Sequence, residues 1–282
     1  MQPSRRGFLL GSAATLSLGG GSLQVRAAET DSRFVLIFLR GAMDGLDVVP
    51  PYGDPNLKVW RPSLVLPDPG RPNGLADLGG FWGLHPALKT MHALYEANDM
   101  LPVHCVAGPD RSRSHFQGED MMEIGADKRM TSGWLNRLAG VLPANSHCDV
   151  AFAAGDMPLI LHGSTPTTTW DPFQPRPHVT PGFYDNIVSM HAHDTQTGAE
   201  VADGLRERRY IDGVMAGTSY DGLANGFPRL ARAAAKLLAA PDGPRLAEID
   251  LGGWDTHFGQ RSRMPEPLGT LDKGIAVLRA GL

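Results

Sequence analysis

Phe34-Val-Leu-Ile-Phe-Leu39 is a continuous apolar run of strand length, the pattern of a strand buried on both faces and hence of a parallel sheet. Leu101–Ala107 reads as the second strand and Arg245–Leu251 as a further one, with Val150–Ala153 and Leu159–Leu161 as shorter strand candidates. Between these runs the apolar positions take helical spacing. His85-Pro86 predicts a helix start, with Leu88, Met91, Leu94 and Tyr95 on one face and Asn98 at the end. Helices are also expected from Ser114 to about Gly125, over Trp134–Leu142, through much of 183–217 and 222–240, and along Leu268–Leu278. Residues 50–83, rich in proline and glycine, and the proline-rich Thr165–Pro181 are read as loops. Strand and helix alternate without an internal repeat. That predicts one α/β domain, a three-layer α/β/α sandwich on a mostly parallel sheet.

The first residues belong to a different pattern. Ser4-Arg5-Arg6-Gly7-Phe8-Leu9 places paired arginines before a weakly apolar, glycine-rich stretch ending near Leu23. Val25-Arg26-Ala27 then offers small residues at the −3 and −1 positions of a cleavage site. The order predicts a twin-arginine signal peptide over 1–27 and a mature domain over 28–282. It also predicts delivery to the bacterial periplasm or beyond, with the twin-arginine export machinery as a partner. The stretch is too short and glycine-rich for a stable membrane span. Removing the leader takes three arginines and no acid, leaving 23 basic against 30 acidic residues, a balance that argues against a nucleic-acid partner. An oxidising compartment permits a disulfide between Cys105 and Cys148; a buried thiol and an unrelated second one are the preferred reading. The chain stops inside an amphipathic helix with no cap and no following strand, which predicts a domain incomplete at its C-terminus.

Three turns, each after a predicted strand, carry the candidate chemistry. The first presents Asp44 and Asp47, the second Ser114 and His115, the third Asp255 and His257. In open α/β sheets ligands bind beyond the carboxyl ends of strands. Carboxylate and imidazole are the usual ligands of a catalytic divalent ion, and a metal beside a serine lowers its pKa. Each residue also has a plainer reading. Ser114 could serve only as an N-cap, with Gln117 completing a capping box. Asp44 could serve only to stabilise its turn. His85 reads as a packing or capping residue and His104 as a core or loop-facing one, while His191-Ala-His193 is a weak metal pattern. There is no Gly-x-Ser-x-Gly elbow, P-loop or Cys-x-x-Cys pair, which disfavours an ordinary serine hydrolase.

Five motifs in order carry a family resemblance: the twin-arginine start, Phe38-Leu-Arg-Gly-Ala-Met-Asp-Gly-Leu46, Leu84-His-Pro86, Arg113-Ser-His-Phe116 and Gly253-Trp-Asp-Thr-His257. Together they resemble the domain-of-unknown-function 1501 family of exported bacterial proteins, which is similar to the alkaline-phosphatase superfamily of phosphatases and sulfatases. The resemblance implies an alkaline-phosphatase-like fold and a metal-dependent hydrolase of phosphate or sulfate esters. It implies Asp44, Asp255 and His257 as ligands of a divalent metal and Ser114 as nucleophile; zinc, manganese or calcium is the expected ion, and the charge of Arg113 is expected to help neutralise a small anionic ester. Two departures bear on this. Gly41-Ala42 stands where the family has Gly-Gly, and the family's later Ser/Thr-Glu-Phe-Gly-Arg and Thr-Asp-His-Gly segments are absent. Their absence favours a second expectation, a non-catalytic periplasmic binding or assembly protein that keeps the fold.

Overall fold

The computed structural model describes residues 32–104, 106–108, 110–143, 151–173, 182–195 and 197–282, which fall in one compact unit, Ser32–Leu282. The predicted leader and both cysteines, and with them the question of their pairing, lie outside the described residues.

The architecture is mixed α/β, built on a four-stranded parallel sheet. Strand β1 (Phe34–Leu39) is the apolar run that opens the domain, and β2 (Ala76–Asp77) and β3 (Gly83–Leu84) form a separate antiparallel pair. Strands β4 (Ala151–Ala153), β5 (Thr168–Thr169) and β6 (Leu246–Leu251) complete the sheet in the order β1-β6-β4-β5. β1 and β6 pair in parallel from Phe34–Leu246 to Leu39–Leu251. Their carboxyl ends therefore finish level, and the turns that follow start side by side.

Helices in chain order are α1 (Gly45–Val48), α2 (Pro55–Trp60), α3 (Lys89–Glu96), α4 (His115–Ile124) and α5 (Trp134–Ala139). Then come α6 (Phe183–His191), α7 (Gly198–Met215), α8 (Phe227–Ala239), α9 (Gln260–Arg263) and α10 (Pro265–Gly281). Alternate residues of β6 enter two apolar clusters, as the period-2 geometry of a strand requires. Ala247 and Ile249 join Leu237, Leu238, Leu268 and Leu271 of α8 and α10, whereas Leu246 joins Leu135, Ile160 and Leu161. Each fully buried leucine here contributes roughly 2 kcal/mol of transfer free energy. α8 and α10 approach closely because Gly274 lies against the ring of Phe227, where an added Cβ would sit only 2.0 Å from a ring carbon.

Several sequence expectations are corrected. Leu101–Ala107 does not form a strand at its described positions, and Leu101, Val103 and Val106 are exposed. Pro102 removes a ladder donor and restrains its neighbour, so apolar content alone cannot build a strand there. Leu159–Leu161 is buried as expected but forms a 3₁₀ turn after Pro158, closed by Leu161 N–H to the Pro158 carbonyl at 3.0 Å. Short apolar runs of this kind do not distinguish strand from turn. Thr168–Thr169, inside a predicted loop, adds an edge strand, as β-branched residues favour.

α3 begins at Lys89 rather than Pro86. Its first turn has no local side-chain cap. The carboxylate of Asp272, buried in α10, instead accepts from Thr90 N–H at 3.0 Å and Met91 N–H at 2.9 Å. The two helices are thereby joined through a cap supplied from far along the chain. His85 is buried with its Nδ1 accepting from Ala87 N–H at 3.1 Å, and burial lowers its pKa, in keeping with a packing role. His104 stacks on Trp82 with ring centroids 3.8 Å apart.

Candidate functional site

The turn after β1 and the turn after β6 are held together by their backbones. Arg40 N–H donates to the Leu251 carbonyl at 2.8 Å, and Trp254 N–H returns a bond to the Arg40 carbonyl at 3.3 Å. Gly41 makes the approach possible. Its φ is +103°, and a Cβ added there would sit 2.6 Å from the Asp255 nitrogen. The next residue, Ala42, also has a positive φ, +61°, a conformation that glycine adopts without the steric cost alanine carries.

α4 is fastened to the same turn by its acids. Glu119 accepts from Gly41 N–H at 2.8 Å, and Arg40 reaches Glu123 at 2.9 Å, Glu119 at 3.4 Å and Asp250 at 2.8 Å. Burial opposes the charge on Arg40, but its bonds to Glu123 and Asp250 outweigh that and raise its pKa. These contacts bring the start of α4 to the end of the sheet. Ser114 is the N-cap of α4, its Oγ accepting from Gln117 N–H at 3.4 Å, but its own N–H donates to Ser112 Oγ at 3.1 Å, so the cap forms without the expected capping box. Arg113 precedes it with φ +60°.

The three turns do not contribute equally. His115, Asp255 and His257 each place one ligand atom within 4.8 Å of the others. Asp255 Oδ1 is 3.0 Å from His257 Nε2, and the rings of His115 and His257 meet edge to face at 5.6 Å. Ligand atoms about 2.1 Å from a common ion lie at most about 4.2 Å apart. The trio thus needs side-chain shifts of less than about 1 Å to close on a divalent cation, and a two-imidazole, one-carboxylate set suits zinc or manganese.

Asp44 stands apart. It caps α1 through Leu46 N–H at 3.0 Å, and its oxygens are taken by the Arg61 guanidinium, one contact at 3.1 Å, and by Gln260 Nε2 at 2.6 Å. Burial works against its charge, but the bonds from Arg61 and Gln260 prevail and hold the carboxyl below the usual range. Burial pushes the neighbouring Asp47 carboxyl up, and the Asp44 charge adds to the effect. The structure therefore brings Asp255 and His257 together with His115, the residue that follows Ser114, and leaves Asp44 in an ion pair. The His191 ring approaches Thr197 and Asp194, away from this cluster.

Sequence reasoning passed over Arg61 and Gln260. Arg61 lies in a stretch read as loop. Gln260 accepts from Thr256 at 3.2 Å while donating to Asp44, so it clasps the first turn to the third. His115 had been noted beside Ser114 without a ligand role, and its adjacency to a Ser-His turn was the available clue. Comparison with family models, curated proteins and solved structures gives no match to this chain.

Proposed function

We propose that this chain is an exported bacterial protein of the metal-dependent phosphate or sulfate ester hydrolase type, with an alkaline-phosphatase-like three-layer arrangement. One observation carries the reading: His115, Asp255 and His257 converge within 4.8 Å, directly beside Ser114, at the carboxyl end of a parallel sheet. Two apolar clusters served by alternate residues of β6 support the layered arrangement. The twin-arginine start supports export. Among the described residues no helix is long and apolar enough to cross a membrane.

The donor set fits a borderline divalent ion, held by His115, Asp255 and His257. Such an ion, when bound, stabilises negative charge on an alkoxide or an ester oxygen. Ser114 attacks the phosphorus or sulfur through Oγ, losing its hydroxyl proton. The alcohol of the ester leaves with a proton, and water then cleaves the serine ester to free the anion. Arg113 balances the charge of the group being transferred.

The test is metal content and turnover together. The wild-type protein is expected to bind about one zinc or manganese ion and to release nitrophenol from aryl phosphate or aryl sulfate. His115→Ala should lose the metal, and Ser114→Ala should keep the metal and lose turnover. Failure to bind either ion at micromolar concentration defeats the proposal. Metal binding without turnover across both ester classes supports instead a second reading, a periplasmic binding protein that keeps the fold without chemistry. The occupied oxygens of Asp44 favour that alternative, because they leave the site three ligands for one ion rather than the set a pair of ions requires.

A further inference from the structure

A cleft of about 750 Å³ opens beside β1, and one of the three candidate metal ligands, His115, lines it. Its walls are apolar, formed by Leu36 and Phe38 of β1, Met122 of α4, Trp134 and Ile160. Its polar lining lies in the turn before α4 and the first half of that helix, where Arg111, Arg113, Ser114 and His115 share the space with Asp110 and Glu119. The acids nearby are already engaged. Asp110 accepts from Ser112, through N–H at 3.2 Å and Oγ at 2.8 Å, and Glu119 is bound to Gly41 and Arg40. Among the described residues Arg111 and Arg113 have no ion-pair partner, so one end of the cleft offers two cations outside any ion pair, and its length is mostly apolar.

Resting on the hydrolase reading above, we propose that the cleft selects the substrate: a phosphate or sulfate monoester carrying one alkyl or aryl chain. Its tetrahedral anion sits at Arg113, Ser114 and His115, and its leaving group lies against Phe38, Met122 and Trp134. The volume falls in the range of small-molecule sites, which are mostly apolar with a few convergent polar groups. The arrangement separates the two demands of such a ligand. The charged head meets cations and the N-terminus of a ten-residue helix, and the chain meets carbon. A small, fully polar ester would leave the walls unused, and an uncharged chain would leave both arginines unpaired.

Binding can be read without turnover from Trp134. The full chain, with zinc or manganese supplied, is titrated with methyl, hexyl and decyl phosphate and the matching sulfates, below micelle-forming concentrations, following tryptophan fluorescence. Trp134→Phe identifies the responding ring. Affinity should rise about two- to fourfold per methylene, the upper figure corresponding to complete burial. Met122→Gln, a neutral polar replacement of similar length at an exposed position, should flatten that rise with metal content unchanged. Arg113→Gln should weaken every member of the series by a similar factor. Equal affinity for methyl and decyl esters, a chain-length dependence undiminished by Met122→Gln, or decanol binding as tightly as decyl phosphate would each overturn the proposal. The two readings fail separately. A steep chain-length dependence without hydrolysis retains the cleft and removes the reaction, whereas hydrolysis indifferent to chain length does the reverse.

Discussion

Glu248 lies in the middle of the sheet, opposite Leu36 on one side and Ala153 on the other, and is 1% exposed. Counted as carboxylates, Glu248 Oε1 and Asp250 Oδ1 have no hydrogen-bond partner. A proton on Glu248 resolves this, because the acid can then donate to Asp250. Burial first, and then the charge of Asp250, push the Glu248 carboxyl up to about 9, from an ordinary value of 4.5. Between those two values the folded protein holds one more proton than the unfolded chain. The contribution is fully present below pH 4.5 and is lost as pH rises through about 9. Stability should therefore fall by up to about 1.4 kcal/mol per pH unit from this group alone. Between pH 6 and pH 8 the loss is roughly 3 kcal/mol, a large part of the stability of an ordinary domain. Glu248→Gln copies the shape of the protonated acid, keeps a donor toward Asp250 and cannot ionise. Urea unfolding followed by circular dichroism at pH 6, 7 and 8 should give a difference between variant and wild type that grows with pH in favour of the variant. Parallel stability curves for the two proteins over this range would refute the reasoning, since they would mean that Glu248 gains or loses no proton on folding.

The remaining predictions concern the turns, the distant cap and the leader. Gly41→Ala places a Cβ against the Asp255 nitrogen at a strained φ and should cost about 2–3 kcal/mol in urea unfolding; Ala42→Gly relieves a positive φ and should be neutral or stabilising by up to about 1 kcal/mol. Asp272→Ala removes the acceptor for two N–H groups of α3 and should cost about 1–2 kcal/mol, with amide exchange at Thr90 and Met91 accelerating most. A reporter fused behind residues 1–27 should reach the periplasm, and replacing both Arg5 and Arg6 by Lys should retain it in the cytoplasm.

What could be read from the chain was whatever depended on local pattern. β1 announces itself as an unbroken apolar run and β6 by Leu246, Ala247, Ile249 and Leu251 around two acids, and each ends in a glycine-bearing turn. The Asp255–His257 spacing, and the Ser-His turn that caps α4, could be found for the same reason. The fate of Asp44 could not. It is decided by Arg61 at the end of a short helix in a proline-rich stretch and by Gln260 from the far end of the chain, and neither partner leaves a periodic trace. Leu101–Ala107 has the composition of a strand, yet Pro102 denies it a complete ladder. β5, only two residues long, carries too little pattern to stand out from the loop around it.

The pairing of β1 with β6, and the Gln260–Asp44 bond that spans 216 positions, set a timetable for the newborn chain. At ordinary translation rates, roughly 10 to 40 s separate the appearance of Asp44 from that of its distant partner. Throughout that interval the first strand is a bare apolar ribbon with no neighbour of its own sheet to join, prone to pairing with other chains. Under the proposed export of the folded chain, this wait is where a holding chaperone matters most, and Phe34–Leu39 is the stretch it would need to guard.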